Sequence, residues 1–375
     1  MKIKLLVILL LCFNISIIAE NKDYHNDLGS SFKYSKKKTI DANFTLNEYY
    51  TLNIDGLYSD MIISTSKTDK ISFHIVITGK ADREDNVDKL LQNIDFEFDD
   101  DKVNNKLNVA TIISISNMRK IGYEININIT MPDNIKLNVE SMYGDLHIDK
   151  LRKDFNLSLR YADLTADSLF ADNIIDVMYG DIMVKYAKYV KANVRYGDIS
   201  VKEAENIDLD IMYGNSEFSR LDKLDGWLRY SELVCGSVNT TNIDIMYTDV
   251  NFRDVVDVNI KNVYGDAIID NLRNKIYYSS NYGDLEIKSV DKNFRLIEVD
   301  ANYSDIEVCL TDEHYFNYNI ELSYGSISSI QFLEKYATRI IEKDYKSSIV
   351  GNYNDTANEH KLIVKGSYTD FSLDD

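Results

Sequence analysis

The chain has 375 residues, enough for two or three average domains or one elongated one. A hydrophobic content of 45% excludes wholesale disorder, and a single proline excludes collagen-like and proline-rich linker architectures. The formal net charge of -19 argues against nucleic acid as a partner and disfavours docking on anionic lipid headgroups.

Residues 1–19 read as a signal peptide. Lys2 and Lys4 form the positive region, Leu5 to Cys12 the apolar run, and the small Ala19 precedes Glu20. The apolar stretch is short for a membrane span and is interrupted by Asn14 and Ser16. Cys12 lacks a lipobox, because Leu11 stands where a small residue is needed. The expectation is an exported chain, in the periplasm or at the cell surface, with no membrane span after cleavage. Cys235 and Cys309 then remain, too few for a disulfide framework or a zinc site. Their separation by four repeat units predicts two thiols rather than a bridge.

Residues 20–135 predict an N-terminal β segment and cap. Ile71 to Ile77 and Leu107 to Ala110 alternate as strands do, whereas Val87, Leu90 and Leu91 are spaced for one face of a short helix over 82–93. Residues 136–330 form a repeat of aliphatic–x–Tyr–small–acid–aliphatic. Its tyrosines begin at Tyr143 and Tyr161 and recur mostly every 17 or 18 residues, through Tyr179, Tyr196, Tyr213, Tyr230, Tyr247, Tyr264 and Tyr282, with wider steps of 21 to Tyr303 and Tyr324. Outlying copies stand at Leu57-Tyr58-Ser59-Asp60 and Ser367-Tyr368-Thr369-Asp370. Period-two alternation before each tyrosine, as at Ile207, Leu209 and Ile211, means strand, and the tyrosine falls in phase with the inward side chains. After the motif the phase shifts by one, which calls for a bend where glycine supplies any positive φ. Polar turns are expected at 185–188 and 203–206.

Seventeen residues cannot form a domain alone, but stacked units cover one another's edges. The fold expected is all-β: a single-stranded parallel β-helix, or β-solenoid, of about 17–18 residues per coil. Propeller repeats are longer, and transmembrane barrel strands are longer with an outward apolar band. The residue before each tyrosine alternates between Met and Arg, so a coil of one unit and a turn of two units are both open. Residues 331–375 predict a C-terminal cap continuing the solenoid, with a helix over 332–343 and a strand pair over 361–372.

The stretch from Met131-Pro132-Asp133 through Met142-Tyr143-Gly144-Asp145-Leu146 resembles a junction in bacterial putative-adhesin domains of unknown function, related to auto-transporter adhesin heads. The resemblance covers roughly residues 45–330 and implies an exported or membrane-attached β-helical domain. It lends no catalytic residues.

Two features bear on function. The acids Asp145, Asp163, Asp181, Asp198, Asp249, Asp266 and Asp284 would form a ladder along one edge. Calcium is one reading of it; the other is an acid that bonds backbone amides two residues on and fixes the bend. Met178, Arg195, Met212, Arg229 and Met246 fall out of phase with the core and would form an outer stripe for a partner, or pack between coils. The tyrosines are read as core filling, with a sugar-stacking platform as the other reading. No catalytic or cofactor motif occurs. The function expected is a non-enzymatic, adhesin-like binding protein of the cell envelope, for a glycan or a surface protein. An envelope scaffold or sensor and a carbohydrate-active β-helix (polysaccharide lyase or hydrolase) are the alternatives.

Overall fold

A computed structural model describes residues 14–19, 32–46, 50–115, 118–328, 331–354 and 359–374. Residues 1–13 of the expected signal lie outside these, while the backbone of Asn14–Ala19 runs antiparallel to the strand Tyr34–Thr45. The chain divides into two compact units, Met1–Thr165 and Ala166–Asp375.

In the first unit, parallel coils are capped by antiparallel strands. Thr51–Leu57 pairs in parallel with Lys136–Met142, which pairs in parallel with Phe155–Arg160. Ser59–Ser66 pairs in parallel with Leu146–Leu151. The outlying copy at Tyr58 is therefore a full coil, adjacent to that of Tyr143 although 85 residues separate them. The chain between them builds the cap. Tyr34–Thr45, Lys70–Ala81 and Ile121–Pro132 pair antiparallel in that order, and the hairpin Ile94–Asp101/Lys106–Ile113 extends the other ladder. The expected helix is present as Glu84–Gln92, with Val87, Leu90 and Leu91 buried. Gly79 lets it approach, since a Cβ there would lie 3.1 Å from Leu91. Lys36 ties the helix to the sheet through Asp88 at 2.8 Å and Glu84 at 3.1 Å.

In the second unit each repeat is one coil. Ile182–Arg195 pairs in parallel with Ile199–Met212, and that with Asn215–Val263, at an offset of 17 residues (Ile182↔Ile199, Ile199↔Ser216). One unit per turn is thereby fixed. Alternation within a strand, as at Ile207, Leu209 and Ile211, fills the core, and steps of three at Val201, Ala204 and Ile207 turn its corners. The polar turns expected at 185–188 and 203–206 are instead strand, because Ala187 and Ala204 point inward and are small enough for a corner.

The C-terminal coil breaks sequence order. Lys361–Ser367 lies between Leu296–Asn302 and Phe316–Ser323, parallel to both, and Asp370–Asp374 lies between Asp305–Cys309 and Ile327–Ser328. The expected strand pair over 361–372 is thus present, but it is inserted rather than appended. The expected helix over 332–343 is replaced by one helical turn, Gln331–Glu334, and the strand Ala337–Lys343, antiparallel to Lys346–Tyr353. Thr338, Ile340 and Ile341 are β-branched, and Asp344 and Tyr345 both take positive φ, as a two-residue hairpin turn requires. Cys235 and Cys309 form no disulfide, as expected from their spacing. Burial pushes the Cys235 thiol up to about 12, so it is a packing residue and not a nucleophile at neutral pH.

Candidate binding surfaces

The tyrosines do not fill the core. All 13 motif tyrosines, from Tyr58 to Tyr368, have φ between 50° and 68° and are 39–54% exposed. The left-handed backbone reverses the alternation at that one residue, turning an in-phase side chain outward. Their neighbours in register then lie directly over them. In the first unit Tyr58, Tyr143 and Tyr161 stack with centroids 4.8 Å and 5.1 Å apart. In the second, Tyr179, Tyr196, Tyr213, Tyr230, Tyr247, Tyr264, Tyr282 and Tyr303 continue onto Tyr368, then Tyr324, then Tyr345. The inserted coil fills its place in this stack, with Tyr303–Tyr368 and Tyr368–Tyr324 both at 4.8 Å. Each interior ring has both faces covered, so the surface shows ring edges and hydroxyls. A sugar ring stacking on an aromatic face has no room within the column.

The residue after the tyrosine decides how close the coils come. A Cβ on Gly197 would sit 1.9 Å from the Gly180 carbonyl oxygen, and one on Gly214 1.8 Å from that of Gly197. Glycine is needed there for close approach, while the tyrosine before it carries the positive φ. At three of the places where a hydroxyl residue replaces glycine, it donates to the carbonyl two residues back: Ser59 to Leu57 at 3.0 Å, Thr248 to Met246 at 3.0 Å, Ser304 to Asn302 at 3.1 Å.

The acid row staples coil to coil. Asp181 Oδ1 accepts the Asp198 backbone N–H at 2.8 Å, and Asp198 accepts that of Asn215 at 2.7 Å. The same bond links Asp145 to Asp163 (2.9 Å), Asp249 to Asp266 (2.9 Å), Asp266 to Asp284 (3.0 Å) and Asp284 to Asp305 (2.7 Å). The expectation that each acid fixes its own bend two residues on is corrected: the amide belongs to the next coil. Among the described residues no group of three or more His, Cys, Asp or Glu is arranged to hold a metal ion. Two open grooves follow the row, one of about 530 Å³ at Asp181, Asp198 and Glu232 and one of about 500 Å³ at Asp266, Asp284 and Asp305. Asp305 sits above the ordinary carboxylate range, first because of burial and then because Asp284 and Asp370 flank it.

Met178, Arg195, Met212, Arg229 and Met246 do line up, with Arg195, Met212 and Arg229 in direct register. They are half-buried and do not make an open apolar stripe. Arg195 and Arg229 converge on one carboxylate, Asp210, at 2.8 Å and 2.9 Å, and enclose Met212. The Arg229 guanidinium also lies 4.1 Å over the ring of Trp227, a residue the repeat pattern left unremarked.

Fold and surface together define an all-β, β-solenoid-like repeat protein with a stapled acid row and a column of surface tyrosines. Residues 174–348 match the Toastrack DUF4097 family, a domain of unknown function. No curated protein matches the chain. Among solved structures it is similar to a putative adhesin from Parabacteroides merdae at 14% identity, covering 70% of this chain and 95% of that one with a TM-score of 0.31. A putative adhesin from Bacteroides fragilis is 15% identical over 70% and 96% of the two chains, with a TM-score of 0.27. A putative lipid binding protein from Parabacteroides distasonis is 15% identical over 70% and 96%, with a TM-score of 0.26. No helix among the described residues is long and apolar enough to cross a membrane.

Proposed function

We propose that this chain is a non-enzymatic, exported, adhesin-like protein of the cell envelope that binds an extended partner along its coils. One observation carries the reading. Eleven tyrosines of the second unit form one column whose edges and hydroxyls repeat about every 5 Å, beside grooves lined by a fixed row of acids. Such a surface is pre-organised by the ladder beneath it, so binding to it costs little ordering. The repeat suits a partner that is itself periodic or extended, a glycan strand or an extended segment of a surface protein. Export is supported by Lys2, Lys4 and the apolar run that follows.

The test is co-sedimentation of the purified chain with isolated envelope material. The wild type is expected to bind saturably. A variant with Tyr230, Tyr247 and Tyr264 all changed to Ser, still folded by circular dichroism, is expected to lose at least about tenfold in affinity. Equal binding by the triple variant would remove the column from the function, and no binding by the wild type would remove the adhesin-like reading itself.

A further inference from the structure

At the outward position three residues before the tyrosine, the repeat of the second unit departs once from polar side chains. Three residues before each tyrosine, the outward position is held by Asp176, Asn193, Asp210, Asp244, Lys261 or Ser279 in six coils of the second unit. In the coil between Asp210 and Asp244 it is Trp227, the only tryptophan of the chain. The inward residue beside it is also exceptional. Where neighbouring coils have Ala192, Leu209, Ile243 and Ile260, this coil has Gly226, whose Cβ would meet the Leu209 carbonyl oxygen at 2.8 Å. A regular repeat tends to break where a site is built.

Trp227 is 48% exposed in the middle of a ladder, where its neighbours would ordinarily be polar. It is held in place. Arg229 lies 4.1 Å over the indole, and Asp210, in register beside Trp227, binds Arg229 at 2.9 Å and Arg195 at 2.8 Å. Arg229 Nε is buried and makes no hydrogen bond in the structure. Two further ion pairs stand at neighbouring outward positions: Asp225, two residues before Trp227, is bonded to Lys223, and Asp244, at the same position one coil on, is 3.8 Å from Lys261.

We propose that Trp227 and the Asp210–Arg229 pair form a binding site for an uncharged hexose glycan. Arg229 covers one face of the indole, and the 48% of the residue left exposed offers an apolar surface to the C–H face of a sugar, with the Asp210 carboxylate and the Arg229 guanidinium beside it as acceptor and donor for sugar hydroxyls. The chemistry selects against other ligands. The lysines and arginines there are each already paired with an aspartate, so an acidic saccharide finds no cation waiting for it, and the chain's net charge of -19 opposes its approach. A protein partner would have to bury Asp210, Asp225, Asp244, Lys223 and Lys261 together, where hot-spot tryptophans sit among desolvated apolar neighbours. A flat sugar satisfies those groups with its own hydroxyls. The site is separate from the tyrosine column, so it stands or falls independently of the function proposed above.

Because Trp227 is the sole tryptophan, its emission reports this site alone. The full chain is titrated with cellohexaose, chitohexaose, maltohexaose and mannohexaose. At least one is expected to give a saturable change in emission intensity or wavelength. By calorimetry with that sugar, Trp227→Ala is expected to weaken binding at least about tenfold, Trp227→Phe less, and Asp210→Asn to an intermediate degree. The tyrosine near-ultraviolet dichroism should be unchanged in each, since Trp227 lies outside the stack. No saturable change with any of the four overturns the proposal. So does wild-type affinity in Trp227→Ala, or an emission change given by an envelope protein and by none of the sugars.

Discussion

A tyrosine in the left-handed region costs about 1 kcal/mol or more relative to a residue without Cβ. Tyr213 accepts that cost at φ 59° and gains two ring contacts, to Tyr196 at 5.1 Å and Tyr230 at 5.0 Å. Each contact is worth roughly 0.5–1.5 kcal/mol, so stacking offsets the strain. The two effects can be separated by mutation. Tyr213→Ala keeps the strain and loses the stack, whereas Tyr213→Gly loses the stack and relieves the strain. The glycine variant is therefore expected to be the more stable of the two by up to about 1 kcal/mol in denaturant unfolding, although glycine is ordinarily the poorer strand residue. The reverse order would mean that the stack, and not the backbone, selects the conformation. The neighbouring glycine behaves oppositely. Gly214→Ala places a Cβ against the Gly197 carbonyl and should cost about 3 kcal/mol, the upper end for overpacking. The orientation of the tyrosines was not legible from alternation. Counting by twos from Ile211 puts Tyr213 inside, and only the backbone conformation of that one residue reverses it.

At the scale of elements, the period and the strand phases were legible because each coil repeats the same inward set. So was the helix Glu84–Gln92, whose apolar spacing matches its buried face. Coil order was not. The copies at Tyr58 and Tyr368 could be seen in the sequence, but which coil each lies against depends on non-local pairing that a motif does not encode. Trp227 carries a signal of its own in the sequence: a lone tryptophan beside a glycine, where the repeat alternates aliphatic and polar residues. The inserted C-terminal coil contributes Leu362, Val364, Phe371 and Leu373, all at most 1% exposed. At about 1.5–3 kcal/mol each, their burial is worth on the order of 6–12 kcal/mol before the entropy of ordering is subtracted. Ending the chain after Asn358 removes it and unpairs two coils at once. The truncated protein is expected to be cut by a nonspecific protease within 311–353, while the coils from Ile182 to Asn281 stay resistant. Intact resistance throughout would show that the coils of Tyr303 and Tyr324 can close on each other without the insertion.

For the whole molecule the dominant long-range effect is charge. A net charge of -19 opposes compaction, and the stapled acids add like charges at coil spacing along one edge. Added salt screens both, since the Debye length is about 10 Å at 0.1 M, so sodium chloride should raise the melting temperature. Asp305 gives the effect a local handle. Its carboxyl is pushed up by burial and by Asp284 and Asp370, so the folded protein holds that proton more tightly than the unfolded chain does. Its ionisation therefore destabilises the fold. The penalty is present above its raised pKa and vanishes as pH falls below the ordinary carboxylate range. Asp305→Asn is expected to raise the melting temperature at pH 7, to reduce the sodium chloride effect, and to lose its advantage as pH is lowered through that range. Calcium distinguishes screening from ligation. If the row is only a staple, calcium chloride should act without saturating. A rise in melting temperature that saturates below about 1 mM calcium, and is lost in Asp266→Asn, would instead mark an ion bound by the acid row.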